Sequence, residues 1–157
     1  NLAQIVNVLQ ALILTRGAEM ILTPTYHVFD LYQVHQDAEL LDAQLDCADY
    51  ELNGKKFPVL SASVSRDGTG QINVTLCNLH ATDRVTIEGM LHSTELKLEK
   101  VEGMVLAAGQ INAHNTFDEP EKVKPEVFRD VQLKEDGFAA TLPAASVLRL
   151  RLVCSRQ

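Results

Sequence analysis

The spacing of apolar residues changes period at Ala38, and that change decides the fold class. Before it, Val28, Phe29, Leu31 and Tyr32 recur at helical spacing. After it, Leu41, Ala43, Leu45 and Cys47 alternate with Asp42, Gln44 and Asp46. The first pattern puts apolar side chains on one face of a helix, and the second puts them on one face of a strand. The sequence therefore divides into a helical part, residues 1–36, and a strand-rich part, residues 37–157. With 157 residues, the chain has room for one sizeable core but not for two ordinary domains.

The first part is unusually apolar. Asn1 to Leu14 carries no charged side chain. Leu2, Ile5, Val6 and Leu9 recur at helical spacing, with Gln4, Asn7 and Gln10 as one narrow polar stripe. This predicts a helix over 2–10 that expects protein on nearly every side. It is too short for a bilayer, which needs about 20 apolar residues, so no membrane span is expected. Leu12–Leu14 and Met20–Leu22 flank Thr15-Arg-Gly-Ala-Glu19 and predict a small hairpin, with a continuing helix as the competing reading. Thr23-Pro24 is a helix start, a capping hydroxyl followed by proline, and the helix should end near His35 or Gln36. A chain that opens on so apolar a segment is expected to be a piece of a larger protein.

The second part is punctuated by turns. Asn53-Gly54 marks one, and Phe57–Ser65 and Gln71–Leu79 flank Asp67-Gly-Thr-Gly70. Arg84–Glu88, Glu95–Val101 and a short Met104–Ala107 follow as strands. Asn112–Pro125 is polar and contains two prolines, so it reads as an ordered loop. Val127–Leu133 and Phe138–Leu142 flank Lys134-Glu-Asp-Gly137. In the last strand Leu148, Leu150 and Leu152 oppose Arg149 and Arg151. About seven or eight antiparallel strands at such spacing predict a mainly β chain, an antiparallel β-sandwich of Ig-like or jelly-roll type.

Charge and chemistry narrow the function. Lys plus Arg is 14 against 21 for Asp plus Glu, a net charge of −7 that disfavours nucleic acid and an anionic membrane surface. Cys47, Cys77 and Cys154 are odd in number and each falls in a predicted strand, so they read as buried free thiols. His27 and His35 are too far apart along a helix to share a metal, and Cys77-x-x-His80 is half a zinc spacing without its second half. No metal or cofactor is expected. Asp118, Glu119, Glu121 and Glu126 are interleaved with lysines and read as a solvated surface, not as the two differently placed carboxylates of a glycosidase. Ser61, Ser63 and Ser65 alternate along a strand, and no G-x-S-x-G is present. The chain has no Trp. Phe57 and Phe138 read as core, leaving Tyr50, Phe117 and Phe128 as rings free to stack on a sugar. Asn112-Ala-His-Asn-Thr-Phe117 is the densest polar cluster. Asn112, His114 and Asn115 there are able to read sugar hydroxyls or to satisfy backbone groups of their own loop, and the second reading is favoured.

The opening NLAQIVNVL, the helix TPTYHVFDLYQVHQ, the strand end TLCNLH and the stretch INAHNTFDEPEKVKPEVF together resemble the family 51 glycoside hydrolases, the α-L-arabinofuranosidases. LPAASVLRLRL resembles the closing strand of many sandwiches that follow hydrolase barrels. The resemblance covers nearly the whole chain. It implies a (β/α)₈ barrel followed by a C-terminal jelly-roll sandwich. Residues 1–36 would be the C-terminal end of the barrel, its last helix and lead-in, and residues 37–157 the sandwich domain. It also implies a retaining mechanism whose acid/base and nucleophile glutamates lie upstream of Asn1, so that no catalytic residue falls in this chain. Gln4 falls on the glutamine that lines the sugar site just after barrel strand eight. The other reading of Gln4 is a helix-start glutamine bonded to backbone.

The expectation is thus the non-catalytic C-terminal portion of a retaining glycosidase that removes terminal α-L-arabinofuranosyl residues from arabinose-containing polysaccharides or oligosaccharides. The expected partners are that carbohydrate, through the parent enzyme, the missing barrel domain, and further copies of the chain in a homo-oligomer. The compartment is open between cytoplasmic and periplasmic or secreted. The rival reading is a stand-alone sandwich that binds carbohydrate or protein and is not an enzyme. The sequence upstream of Asn1 separates the two.

Overall fold

A computed structural model describes residues 4–9 and 11–156. Strands β1 (Ile13–Arg16) and β2 (Glu19–Leu22) form the small hairpin, Ile13 opposite Leu22 and Arg16 opposite Glu19. Thr23 ends the hairpin and starts helix α1 (Pro24–Tyr32). Its hydroxyl accepts the Tyr26 N–H at 3.4 Å and donates to the Ala11 carbonyl at 2.8 Å. A 3₁₀ turn over Gln33–His35 extends the helix, and Asp37, at φ 55°, turns the chain away.

The helix expected over 2–10 is not formed in residues 4–9, and residues 1–3 and 10 lie outside the described residues. Val6 instead bridges Ile13 in parallel. The Ile13 N–H donates to the Ile5 carbonyl at 3.0 Å, and the Asn7 N–H donates to the Ile13 carbonyl at 3.1 Å. Asn7 sits at φ 53°, a conformation that stops a helix. Its side chain binds β1 twice, Nδ2 donating to Thr15 Oγ1 at 2.6 Å and Oδ1 accepting the Thr15 N–H at 2.7 Å. A short segment with β-branched Ile5 and Val6 has little helical stability of its own, so the tertiary partner wins.

The sandwich is built from β3 (Glu39–Leu40), β4 (Asp49–Leu52), β5 (Lys55–Pro58), β6 (Leu60–Arg66), β7 (Ile72–Asn78), β8 (Val85–Met90), β9 (Leu96–Leu106), β10 (Glu126–Phe128), β11 (Val131–Lys134), β12 (Gly137–Leu142) and β13 (Ser146–Arg156). A six-stranded sheet in the order β10-β9-β13-β7-β6-β3 faces a three-stranded sheet, β11-β12-β8, and β4 and β5 form a separate hairpin. The pairing is antiparallel throughout. Leu148, opposite both Leu76 and Val105, and Leu150, opposite Val74 and Gly103, set the inner row of the large sheet. That row packs on Phe138, Ala140 and Leu142 of the small sheet to make the core. Gly103 is needed there, because a Cβ at this position would lie 2.9 Å from Phe128 Cβ.

Four strand boundaries differ from expectation. Phe57–Ser65 divides at Val59, Phe57 and Pro58 pairing in the β4–β5 hairpin and Leu60 onward joining the large sheet as β6. Leu41 to Ala48 is extended but unpaired except at its ends, where the Leu41 N–H donates to Val64 and Ala48 accepts from Val59. Alternation names a face but supplies no partner, and at this sheet edge Ala43 and Leu45 stay exposed. Glu95–Val101 and Met104–Ala107 are one strand, β9, whose register slips opposite Val153 and Cys154. Val127–Leu133 is two strands, because the chain crosses from the large sheet to the small one at Arg129-Asp130. Asp130 there pairs with Arg84.

Helix α1 covers the other face of the large sheet. Leu31 is buried against Leu106 and Val123, with Val28, Met104, Ala113 and Val147 around them.

Candidate functional site

Two polar assemblies fix the N-terminal piece to the sandwich. The first lies under α1. Alternation along β6 and β7 turns Val64, Val74 and Leu76 inward, which leaves Ser63, Ser65, Thr75 and Cys77 on the helix side. His35 reaches into this row. Its Nδ1 lies 2.7 Å from Ser65 Oγ and its Nε2 lies 2.7 Å from Thr75 Oγ1, and both hydroxyl residues are buried. A neutral ring donates from one nitrogen and accepts at the other, and two hydroxyls satisfy either tautomer. Burial pushes the His35 pKa below its ordinary value, in keeping with a neutral ring. The Tyr32 hydroxyl lies 3.2 Å from Cys77 Sγ, and burial followed by this contact raises its pKa.

The second assembly is the Asn112–Phe117 stretch. Asn115 is buried, its Nδ2 donating to the Leu22 carbonyl at 2.8 Å and the Val123 carbonyl at 2.9 Å. Its Oδ1 accepts the Val123 N–H at 2.7 Å. Two residues on, the Arg16 guanidinium stands 4.4 Å from the centre of the Phe117 ring. Asn112 and His114 are exposed, and His114 Nδ1 lies 3.1 Å from the Asn112 carbonyl. Gln4 is exposed in a segment without regular structure, so it is not the start of a helix. Beside it lie the exposed apolar residues Ile5, 57% accessible, and Leu9, 91%. Met20 and Phe29 of the same N-terminal piece are 62% and 55% accessible.

Residues 1–146 match the family described as the alpha-L-arabinofuranosidase C-terminal domain. The chain belongs to that family. This arabinofuranosidase C-terminal domain is 40% identical over 153 residues to an intracellular exo-α-L-arabinofuranosidase of Bacteroides ovatus, a match to 97% of this chain and 29% of the relative. It is 27% identical over 146 residues to an intracellular exo-α-(1→5)-L-arabinofuranosidase of Streptomyces lividans, across 92% of this chain and 22% of the relative. Its fold superposes on the crystal structure of a family 51 arabinofuranosidase from Xanthomonas axonopodis pv. citri with a TM-score of 0.90 and 38% identity, covering 96% of this chain and 30% of the other. The chain thus spans less than a third of each of these proteins and corresponds to their C-terminal portion.

Within the arabinofuranosidase C-terminal domain, the other sequence candidates are not drawn together. Glu119 pairs with Lys122 at 2.7 Å and Glu121 with Lys124 at 2.6 Å, all at the surface. The hydrogen bond from Lys124 holds the Glu121 carboxyl below its usual range. Of the three rings left free for stacking, Phe128 is buried against Gly103, because β10 pairs with β9 and turns the ring into the core. Phe117 is half-buried beside Arg16, and Tyr50 is half-buried between Phe57 and His80, at 5.1 and 4.4 Å between ring centres. Cys77 and His80 diverge, Cys77 toward Tyr32 and His80 toward its own turn, where Nδ1 accepts the Asp83 N–H at 2.9 Å. The three thiols are half-buried rather than buried, and Cys47 lies in the unpaired stretch, not in a strand. An open cleft of about 470 Å³ runs between Leu45, Cys47, Phe57, Pro58, Ala62 and Leu79. The polar seat of His35 was missed by the sequence reading. Its only signal was the run of serines at every second position of β6.

Proposed function

We propose that this chain is the non-catalytic C-terminal portion of a retaining enzyme that releases terminal α-L-arabinofuranosyl residues from arabinose-containing polysaccharides or oligosaccharides. Residues 1–36 complete a preceding (β/α)₈ barrel, and residues 37–157 form the sandwich that buttresses it. The two glutamates of a retaining mechanism, about 5–5.5 Å apart across the scissile bond, belong to that barrel. This chain brings the Gln4 amide, which is able both to donate to and accept from a sugar hydroxyl or ring oxygen.

The observation that carries this reading is the match of residues 1–146 to the arabinofuranosidase C-terminal domain, and exposed apolar residues of the N-terminal piece support it. Ile5, Leu9, Met20 and Phe29 stand open on the N-terminal piece that also presents Gln4. Exposed apolar side chains of this kind are suited to burial against another protein surface, and a preceding barrel would supply one. The test is kinetics of the full-length polypeptide on 4-nitrophenyl α-L-arabinofuranoside. Gln4→Ala should raise KM about tenfold, the effect of one lost hydrogen bond in a closed site. Unchanged KM and kcat would remove Gln4 from the sugar site.

A further inference from the structure

We infer that Asn115 is a positioning residue: from the sandwich it holds the segment that presents Gln4. The role of that segment at the sugar rests on the function proposed above. The holding itself is read from the hydrogen bonds. Asn115 already closes its own loop with two bonds to Val123. Its third bond leaves the loop and ends on the Leu22 carbonyl, the last residue of β2. Leu22 is the register partner of Ile13. Ile13 is the residue whose N–H and carbonyl bind Ile5 and Asn7. The path therefore runs from a buried side-chain amide in the sandwich to Leu22, across the hairpin to its register partner Ile13, where the adjoining Thr23 N–H bonds the Leu12 carbonyl, and on to the segment that begins at Gln4.

A single tether would let the hairpin swing about it. The same loop supplies a second one at the far end of the hairpin, where Phe117 meets Arg16. Arg16 is held in turn by Glu19 across the hairpin, at 2.9 Å. Asn115 and Phe117 thus grip opposite ends of β1–β2 and fix both its position and its rotation. Asn7 then transfers that position to the exposed segment through its two side-chain bonds to Thr15. Asn115 suits this task because one primary amide supplies two donors and an acceptor in a fixed plane. Its side chain is buried, with the two bonds to Val123 fully buried and the bond to the Leu22 carbonyl partly so. In this arrangement the sandwich sets the register of the Gln4 segment, and the polar stretch Asn112–Phe117 acts from behind the site without touching sugar.

The test has two arms. Amide hydrogen exchange on the full-length polypeptide reads the holding directly. In Asn115→Ala, protection of Asn7, Ile13 and Thr15 should fall about tenfold while the β7 and β13 amides keep theirs. Phe117→Ala, which alters only a half-exposed ring, should give the same pattern in smaller measure and stands in if Asn115→Ala does not fold. In the full-length polypeptide, Asn115→Ala should raise KM for 4-nitrophenyl α-L-arabinofuranoside several-fold with kcat within about twofold, and should add nothing to Gln4→Ala in the double variant. Unaltered exchange at Asn7, Ile13 and Thr15 in both variants overturns the inference. So does an unchanged KM in Asn115→Ala where Gln4→Ala raises it. If Gln4→Ala has no effect, the sugar-site reading fails, and the exchange arm alone decides whether Asn115 holds the segment.

Discussion

His35→Ala measures how firmly α1 is seated. The imidazole makes two hydrogen bonds of 2.7 Å, to Ser65 and to Thr75, whose residues are 3% and 0% accessible. Each bond is worth about 1 kcal/mol net, and each hydroxyl left without a partner adds a desolvation cost of about 1 kcal/mol or less where water enters the vacated space. The sum is about 2–4 kcal/mol, which in a chain of this size lowers Tm by about 5–15 °C. The pH dependence carries a second signature. Burial holds the His35 pKa below its ordinary value of about 6.5, so the unfolded chain protonates first on acidification. The stabilisation is complete above about pH 6.5 and is lost as the pH falls toward the folded-state value. His27 is shifted the same way, also chiefly by burial, so His27→Ala provides the background. Hydrogen bonds from Thr69, Lys100 and Lys124 hold the carboxyls of Asp67, Glu102 and Glu121 below their ordinary values, on the acid side of this window. Urea unfolding followed by far-UV circular dichroism at about pH 7.5 and pH 5.5 reads both effects. A His35→Ala midpoint equal to wild type at about pH 7.5, or an acid slope that His35→Ala leaves intact, refutes the account.

Gly137→Ala should cost about 3 kcal/mol or more, because the Gly89 carbonyl of β8 occupies the place of a Cβ there. Gly68→Ala, with open space around it, should fall within about 0.5 kcal/mol of wild type in the same thermal melts. The isolated chain should self-associate through Ile5, Leu9, Met20 and Phe29, and Leu9→Glu combined with Met20→Glu should lower the mass seen by light scattering at micromolar concentration. A monomer in both cases counts against the exposed surface as a contact face. The purified chain should release no nitrophenol from 4-nitrophenyl α-L-arabinofuranoside. Turnover that survives repurification and vanishes in Glu119→Gln or Glu121→Gln would show that the paired surface acids are catalytic after all.

The sandwich was legible in the sequence wherever two signals agreed. Asp67-Gly-Thr-Gly70 combined turn residues with expected strands on both sides, and β6 and β7 pair across it, with Gly70 at φ 87°. Thr23-Pro24 combined a cap with a proline, and α1 starts there. Where one signal stood alone, the reading failed. The apolar spacing of Leu2 to Leu9 had no cap or charge to support a helix, and Asn7 took the left-handed conformation instead. Leu41 to Cys47 alternated with no neighbour to pair with. Phe128 looked exposed because its burial depends on Gly103, distant in sequence and opposite it across a ladder. The candidate site was legible only as composition. The NAHNTF cluster was visible and its structural reading was favoured, but its partners Leu22, Val123 and Arg16 are set by tertiary folding, which no local pattern encodes.

Strand β13 has a consequence for the order in which this sheet can form. It follows every strand it joins, yet it sits between β7 and β9 and bonds to both along most of its length. Until Ser146–Arg156 leaves the ribosome, the β6–β7 pair and the β9–β10 pair are two ribbons with no shared ladder, each showing an unpaired edge. The central contacts, such as Leu148 with Leu76, span about half the chain, and closing loops of that length is slow. Nascent chains halted before Ser146 are therefore the species most exposed to wrong pairing.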